Sequence, residues 1–556
     1  MTQSGSNDVL SQLYPEHSIS ASAQASRVGL AFSGGGSRSL TATMGQMRGL
    51  DHLSLIQRSA AVSSVSGGSW ASTLYTYLPA SISDADFLGE VVANPHDLKW
   101  KSSDHAEPNN IGWLPKNSMG WVPSRLGFLS IAEELKAFHK RYHYPGDELW
   151  VRLVGNLIFE PYGLSQVHED QSQPDLFGKP VKFYSGTREY LEQHVLPHNP
   201  HLSVEDFYLI ERPRPALIVN TSMFENNQTD AELLPVESSS EAIGLATFIP
   251  NGGLDGRDIG GGAIQTIGFG CQEISGGGED LVNTTINQRF SLSDISGLSS
   301  CAFAEIVESY VPFLDKLLPA YYYTPVKNAL KPENAPTKYY FADGGNLENT
   351  GITALLRRDN VDTVVSFVNC SVDIKNDDGF ISVDSQLPPL FGLIPPSSKD
   401  KEKTYRRYVD GDIPKGSEPF SGNQVFSESA FFDLVQGLWQ AKESGGPVIF
   451  VQKNLSTLGN EKFAVPAGKQ VDVVWVYNSL PEKWWDSLST ILRAEVKLDL
   501  LSFRNFPHYN TITELELNAE QVNLLSHMMT WNIIQDEHII PSAGMTSKAL
   551  FESIYE

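Results

Sequence analysis

Basic charge is in short supply. Lysine and arginine number 41 against 66 aspartates and glutamates, a formal net charge of -25. Such a chain repels polyanions, which sets nucleic acid aside as a partner. An anionic lipid surface would attract it only through a local basic or apolar patch. Cysteine is scarcer still. Cys271, Cys301 and Cys370 are too few and too scattered for a disulfide framework or a zinc site, and they read as buried thiols of a reducing compartment. No apolar run reaches the roughly 18 residues that cross a bilayer. The longest candidate, Val361 to Val372, is broken by Asp362, Ser366, Asn369 and Ser371. Residues 1–26 have neither a basic start nor an apolar stretch, so they read as a flexible leader rather than a secretory signal, and a cytoplasmic location is expected. EF-hand and H-E-x-x-H patterns are absent, so neither a metal nor another cofactor is expected. His139 and His143 share a helical spacing but make only two ligands, and His194, His198 and His201 are spaced through prolines as in a surface loop.

What the chain does have is apolar content: 41% hydrophobic residues over 556 positions is enough for a large core and excludes a disordered chain. Arg27 to Ser33 is a short apolar run with strand character, ending in Gly34-Gly35-Gly36. Leu40, Met44, Met47 and Leu50 then recur at helical spacing, predicting a helix from near Ser39. Ala61 to Val65 repeats the strand, Ser66-Gly67-Gly68 the loop, and Ala71 to Leu78 the helix. Strand, glycine loop, helix, twice over, opens a parallel α/β sheet. Ala216–Asn220, Lys338–Ala342, Val361–Val368, Val448–Gln452 and Val471–Tyr477 supply further strands. No repeat or proline-rich linker divides residues 27–556, which read as one domain with cap insertions around 84–210 and 225–335.

Adjacent glycines between a strand and a helix let backbone amides converge on an anion or a developing oxyanion. The run at Gly34 fits neither a dinucleotide fingerprint, since Ser39 stands where the last glycine belongs, nor a phosphate loop, which ends in Gly-Lys-Ser/Thr. Ser64-Val65-Ser66-Gly67-Gly68 places a serine on a strand-to-helix turn, with Ser64 where the usual G-x-S-x-G elbow has glycine. A hydroxyl nucleophile needs a base. The leading candidate is Asp343, followed by Gly344-Gly345-Asn346 at the carboxyl end of a strand, where ligand sites of α/β sheets lie.

These segments resemble the patatin-like and cytosolic phospholipase A2/phospholipase B hydrolases. The likeness rests on Gly34-Gly-Gly-Ser-Arg38, Ser66-Gly-Gly-Ser-Trp70 and Asp343-Gly-Gly-Asn-Leu-Glu-Asn-Thr-Gly351, in that order, with weaker echoes in Glu148-Leu-Trp150 and Phe506-Pro-His-Tyr-Asn510. It implies a central mixed, mostly parallel sheet flanked by helices. It also implies Ser66 as nucleophile, Asp343 as its partner in a Ser-Asp dyad, Gly35 and Gly36 as oxyanion amides and Arg38 as ligand of a substrate phosphate. The implied activity is hydrolysis of a fatty-acyl ester in a phospholipid or lysophospholipid, at a membrane surface touched peripherally. Acyl transfer on the same dyad, or lipid binding without turnover, are the alternatives. An unassisted carboxylate is a weak base for a hydroxyl, so burial and the neighbouring amides have to help. One of the 13 histidines completing a triad stays open. Trp100, Trp113, Trp121 and Phe128 are the candidates for membrane contact, against the reading that they close a cap core. Phe303 to Leu318 is a candidate cap helix that Pro312 would kink.

Overall fold

A computed structural model describes residues 26–100, 107–127, 131, 133–136, 145–165, 181–228, 232–276, 282–285, 289–302, 317–396, 403–410, 413, 417–511 and 515–556. Nearly all of the leader, His139, His143, Phe128 and most of the 303–318 stretch lie outside the described residues.

The chain opens with strand β1 (Val28–Phe32), helix α1 (Gly36–His52), β2 (Ala61–Val65) and α2 (Gly67–Thr76). α3 (Gly146–Val154) precedes β3 (Ala216–Phe224), β4 (Leu233–Ser239), β5 (Ala242–Ile249) and β6 (Ile259–Gln265). After α4 (Leu292–Ser299) come β7 (Ala320–Tyr323), β8 (Thr337–Ala342) and β9 (Thr363–Val368). The last part holds α5 (Glu428–Glu443), β10 (Ile449–Ser456), β11 (Gln470–Tyr477), α6 (Thr490–Leu498) and α7 (Ala519–Ile534).

Among the described residues, eleven strands form one mixed sheet in the order β10-β11-β9-β1-β2-β3-β4-β5-β6, with β8 pairing β3 and β7 pairing β8. The central five, β11, β9, β1, β2 and β3, run parallel, and antiparallel strands extend both edges. All five residues of β1 are buried, as expected of a strand covered on both faces, and Phe32 stacks on Phe367 of β9 at 5.0 Å. Helix α1 is buried along almost its whole length because α7 covers its outer side. Gly45 and Gly49 permit that approach: a Cβ at Gly45 would stand 2.2 Å from the Ser526 carbonyl oxygen, and one at Gly49 would stand 2.7 Å from Ile533 Cβ.

Two departures from the sequence reading are instructive. Helix α1 begins at Gly36, three residues before Ser39, so the last glycine of the loop is the first residue of the helix and Gly35 is its cap. Residues 225–335, expected as an insertion, contribute β4, β5 and β6 to the central sheet. Their glycines hide the alternation that marks a strand. At Gly244 a Cβ would meet the Gly262 carbonyl oxygen of β6 at 2.2 Å, so the strand surface there is bare backbone.

The sheet register sets up the site. β3 is nine residues long and its first half pairs with β2, ending at Val65 opposite Asn220. Beyond that point the same edge of β3 is taken by β8, running the other way, with Ala342 opposite Ser222. The residues that follow, Ser66 after β2 and Asp343 after β8, are thereby driven toward each other across Thr221. Thr221 and Ser222 hydroxyls donate to the Ala342 and Asp343 carbonyls at 3.1 and 2.9 Å, which fixes the end of β8.

Candidate active site

Ser66 caps α2 with φ 50° and ψ −124°, a conformation that a side-chain-bearing residue adopts only under strain of about 1–3 kcal/mol. Its surroundings hold it there. The Ser66 amide donates to Ser299 Oγ at 2.9 Å, and Ser299 Oγ donates to the Asn220 carbonyl at 2.6 Å. Gly67 and Gly68 have no room for a side chain: a Cβ would lie 2.0 Å from the Gly36 carbonyl oxygen and 2.7 Å from that of Phe32. Ser64, the departure from the usual elbow, turns away from the turn, exchanging a hydrogen bond with Ser72 Oγ at 2.6 Å. The elbow is therefore built without the first glycine.

Ser66 Oγ donates to Asp343 Oδ2 at 3.1 Å, and both residues are buried. Asp343 is otherwise held by backbone amides: Ala302 donates to Oδ2 at 3.2 Å and Gly345 to Oδ1 at 2.8 Å. The loop after it is braced by Glu348, whose carboxylate accepts from the Thr350 and Gly351 amides at 2.6 and 3.0 Å; burial pushes its carboxyl above the usual range.

The three glycines have separate duties. The Gly34 amide donates to the Asn349 carbonyl at 3.0 Å, tying the loop to the Asp343 segment. Gly35 and Gly36 adopt φ 139° and 57°. Among the described residues their amides have no protein acceptor. Both lie at the N-terminus of the 17-residue α1, where the partial positive charge of the helix accumulates. An anion placed there is met by two unengaged donors.

Arg38 follows on α1 and is 5% exposed. Its Nε donates to the Asn369 carbonyl at 3.0 Å and its Nη1 to the Tyr509 carbonyl at 2.6 Å, so the guanidinium is positioned by backbone rather than neutralised by a carboxylate. Burial lowers its pKa from the ordinary value, with Cys370 and Asp384 acting the other way.

Ser66, Asp343, Gly35, Gly36 and Arg38, the five residues singled out in the sequence, line one cavity of about 570 Å³. No histidine is among its walls in the described residues. His508 instead faces the Cys370 carbonyl and Asp373, and His527 is buried beside Arg48. Sequence reading missed Ser299, Ala302, Asn349, Tyr509 and Thr511. Asn349 stands inside the quoted Asp343–Gly351 motif and Tyr509 in the weak Phe506-Pro-His-Tyr-Asn510 echo, but the motifs give neither a role; Ser299, Ala302 and Thr511 stand in no marked motif. These three act through a backbone group or one hydroxyl and leave no local pattern. The tryptophans divide: Trp100 and Trp121 pack against the core, while Trp113 is 44% exposed.

No family model matches the sequence, and no curated protein matches it. Among solved structures, human GIVD cytosolic phospholipase A2 aligns at 12% identity with a TM-score of 0.44, over 98% of this chain and 62% of that one. The same human enzyme in complex with methyl gamma-linolenyl fluorophosphonate aligns at 11% identity and a TM-score of 0.41, over 98% of this chain and 61% of that one. The chain thus spans about three fifths of the length of those structures.

Proposed function

We propose that the chain is a lipid acyl hydrolase that cleaves a fatty-acyl ester of a glycerophospholipid or lysophospholipid through a Ser66–Asp343 dyad. The observation that carries this reading is the 3.1 Å hydrogen bond from Ser66 Oγ to Asp343 Oδ2, on the wall of a cavity that also holds the Gly35 and Gly36 amides. Ser66 Oγ attacks the ester carbonyl carbon while Asp343 accepts its proton, and the carbonyl oxygen takes its negative charge toward the two amides. The tetrahedral species collapses, the leaving alcohol takes the proton from Asp343, and the acyl group stays on Ser66. Water then attacks the acyl-enzyme, giving its proton to Asp343. The fatty acid leaves and the proton returns to Ser66. An alcohol in place of water turns the second half into acyl transfer. The amides holding Asp343 keep its carboxylate aimed at Ser66, and exclusion of water strengthens each charge interaction involved. Arg38, fixed by two carbonyls, meets the substrate phosphate.

The membrane-facing surface is the stretch around α6. Ile491, Leu498, Leu500 and Leu501 are 73%, 78%, 70% and 96% exposed. Residues 490–504 carry Arg493, Lys497 and Arg504 against Glu495 and Asp499, a mildly basic segment on an acidic chain. Exposed apolar side chains on a segment with a slight basic excess suit a bilayer interface. The same segment runs on to Tyr509, which holds Arg38, and to Thr511, whose Oγ1 donates to the Gly35 carbonyl at 2.5 Å.

The reading is tested by product analysis on phospholipids carrying different chains at the two positions, with Ser66→Ala as control. Release of fatty acid by the wild type and none by the folded variant is expected. Equal release by both removes the dyad from the mechanism.

A further inference from the structure

Besides Asp343 and Glu348, which the loop after β8 already holds by its own amides, the cavity carries, among the described residues, one further acidic side chain, opposite in sign to Arg38. Asp384 is 9% exposed and lines the same cavity. Its Oδ1 accepts from the Gln386 amide and Nε2 at 3.1 and 3.0 Å, while its Oδ2 has no protein donor among the described residues. The Asp384 amide donates to the Tyr477 hydroxyl at 2.9 Å, which fixes the backbone beneath it. Arg38 gives its Nε and Nη1 to carbonyls and forms no ion pair with Asp384 among the described residues. A buried arginine and a buried carboxylate lining one cavity would ordinarily satisfy each other. Here Arg38 is held by two carbonyls and Asp384 by the amide and side chain of Gln386, and both line the cavity. Two aromatic rings, Tyr408 and Phe420, lie on the same wall system.

Resting on the acyl-hydrolase reading above, we propose that Asp384, Tyr408 and Phe420 form a subsite for the alkylammonium end of a zwitterionic phosphoester, whose phosphate meets Arg38. The carboxylate supplies the countercharge, and the ring faces attract a cation through their quadrupole, most strongly one too methylated to donate hydrogen bonds. A phosphocholine or phosphoethanolamine head group presents both charges on one short chain. A phosphoglycerol head group places only hydroxyls against Asp384, and a phosphoserine adds a carboxylate that Asp384 repels. A cavity of about 570 Å³ has room for such a head group with its glycerol. The same charge pair is carried by soluble glycerophosphodiesters and by lipids.

The test titrates glycerophosphocholine and glycerophosphoglycerol calorimetrically into the Ser66→Ala protein, then into the same background carrying Asp384→Asn or Phe420→Leu. The expected result is a preference for glycerophosphocholine of about tenfold or more, the size of one charge-assisted contact. Asp384→Asn removes that preference by weakening the choline ligand alone, and Phe420→Leu, which keeps an apolar side chain at that position, reduces it several-fold. Absence of any preference, or an equal loss for both ligands in both variants, overturns the subsite. A parallel assay follows fatty acid release by wild type from lysophosphatidylcholine and lysophosphatidylglycerol. Selective release from the choline lipid makes the head group of a lipid the occupant. An Asp384-dependent preference in the titration with no release from either lipid leaves the subsite standing, with a soluble phosphodiester as its ligand, and removes the acyl-hydrolase reading instead.

Discussion

Replacing Gly67 with alanine probes how the elbow and the amide loop depend on each other. Gly67 has ordinary helical geometry, so the substitution adds no backbone strain and acts through space alone. The new Cβ would stand 2.0 Å from the Gly36 carbonyl oxygen and 2.7 Å from the Gly36 nitrogen. Cβ atoms essentially never come within 3.0 Å of another atom, so the two loops must part by at least 1.0 Å. Neither loop yields cheaply. The Gly36 side is tied through Gly34 to the Asn349 carbonyl and through Thr511 to the Gly35 carbonyl, and the Ser66 side through Ser299 to Asn220. Overpacking of this kind costs about 1–3 kcal/mol of stability. A displacement of about 1 Å at a reacting group costs roughly a hundredfold in rate. Thermal unfolding and p-nitrophenyl butyrate turnover read the two effects separately. Gly276→Ala, where the nearest atom to a new Cβ is 3.9 Å away, is the control and should change neither. A Gly67→Ala protein with wild-type melting temperature and turnover would show that the two loops do not constrain each other.

Other outcomes follow from the same geometry. Arg38→Lys loses the paired contacts to the Asn369 and Tyr509 carbonyls and the planar fork toward phosphate, so phospholipid turnover should fall about a hundredfold and p-nitrophenyl butyrate turnover far less; equal losses would make Arg38 a support of the amide loop. Leu498→Glu with Leu501→Glu should weaken binding to phosphatidylcholine vesicles by tenfold or more, at about 2 kcal/mol for each leucine withdrawn from the interface, while turnover of a soluble ester persists; unchanged vesicle binding would move the membrane contact elsewhere, Trp113 being the next candidate. His527 is held neutral by burial and by Arg48, with its pKa well below the usual value. The unfolded chain therefore binds the extra proton, so His527 costs stability as pH falls below about 6.5, by at most about 1.4 kcal/mol per pH unit. Urea unfolding between pH 7.5 and 5.5 should fall less steeply in His527→Gln, and equal slopes would count against this role.

How far the sequence carried the structure depended on the range of the interactions. β1, β2, β3 and β11 were legible because strands buried on both faces write short apolar runs, as Val28–Phe32 and the part of β11 from Val473 to Tyr477 do. β4 to β6 were not, because glycine and serine fill positions where strands pack backbone to backbone, as at Gly244 and Gly262. The strain at Ser66 and the paired glycines after it left a local signature, and so did the aspartate ahead of two glycines. The partners that hold them did not. Ser299 is one of many serines, and the Ala302 amide, the Asn349 carbonyl and the Tyr509 carbonyl are backbone groups that any residue would supply. For Trp100 and Trp121 the core reading holds over the membrane one; the sequence left both open because an indole suits a core and an interface equally.

The dyad is tested most directly by covalent capture. An alkyl fluorophosphonate reacts with a serine only where a base activates the hydroxyl and amides receive the phosphoryl oxygen. Incubation of the wild-type protein, followed by peptide mass spectrometry, should find one adduct per chain on Ser66. None should form in Ser66→Ala, and formation should be slowed by at least a hundredfold in Asp343→Asn. An unlabelled Ser66 in a folded protein, or an adduct that forms at the wild-type rate without the Asp343 carboxylate, would contradict the dyad.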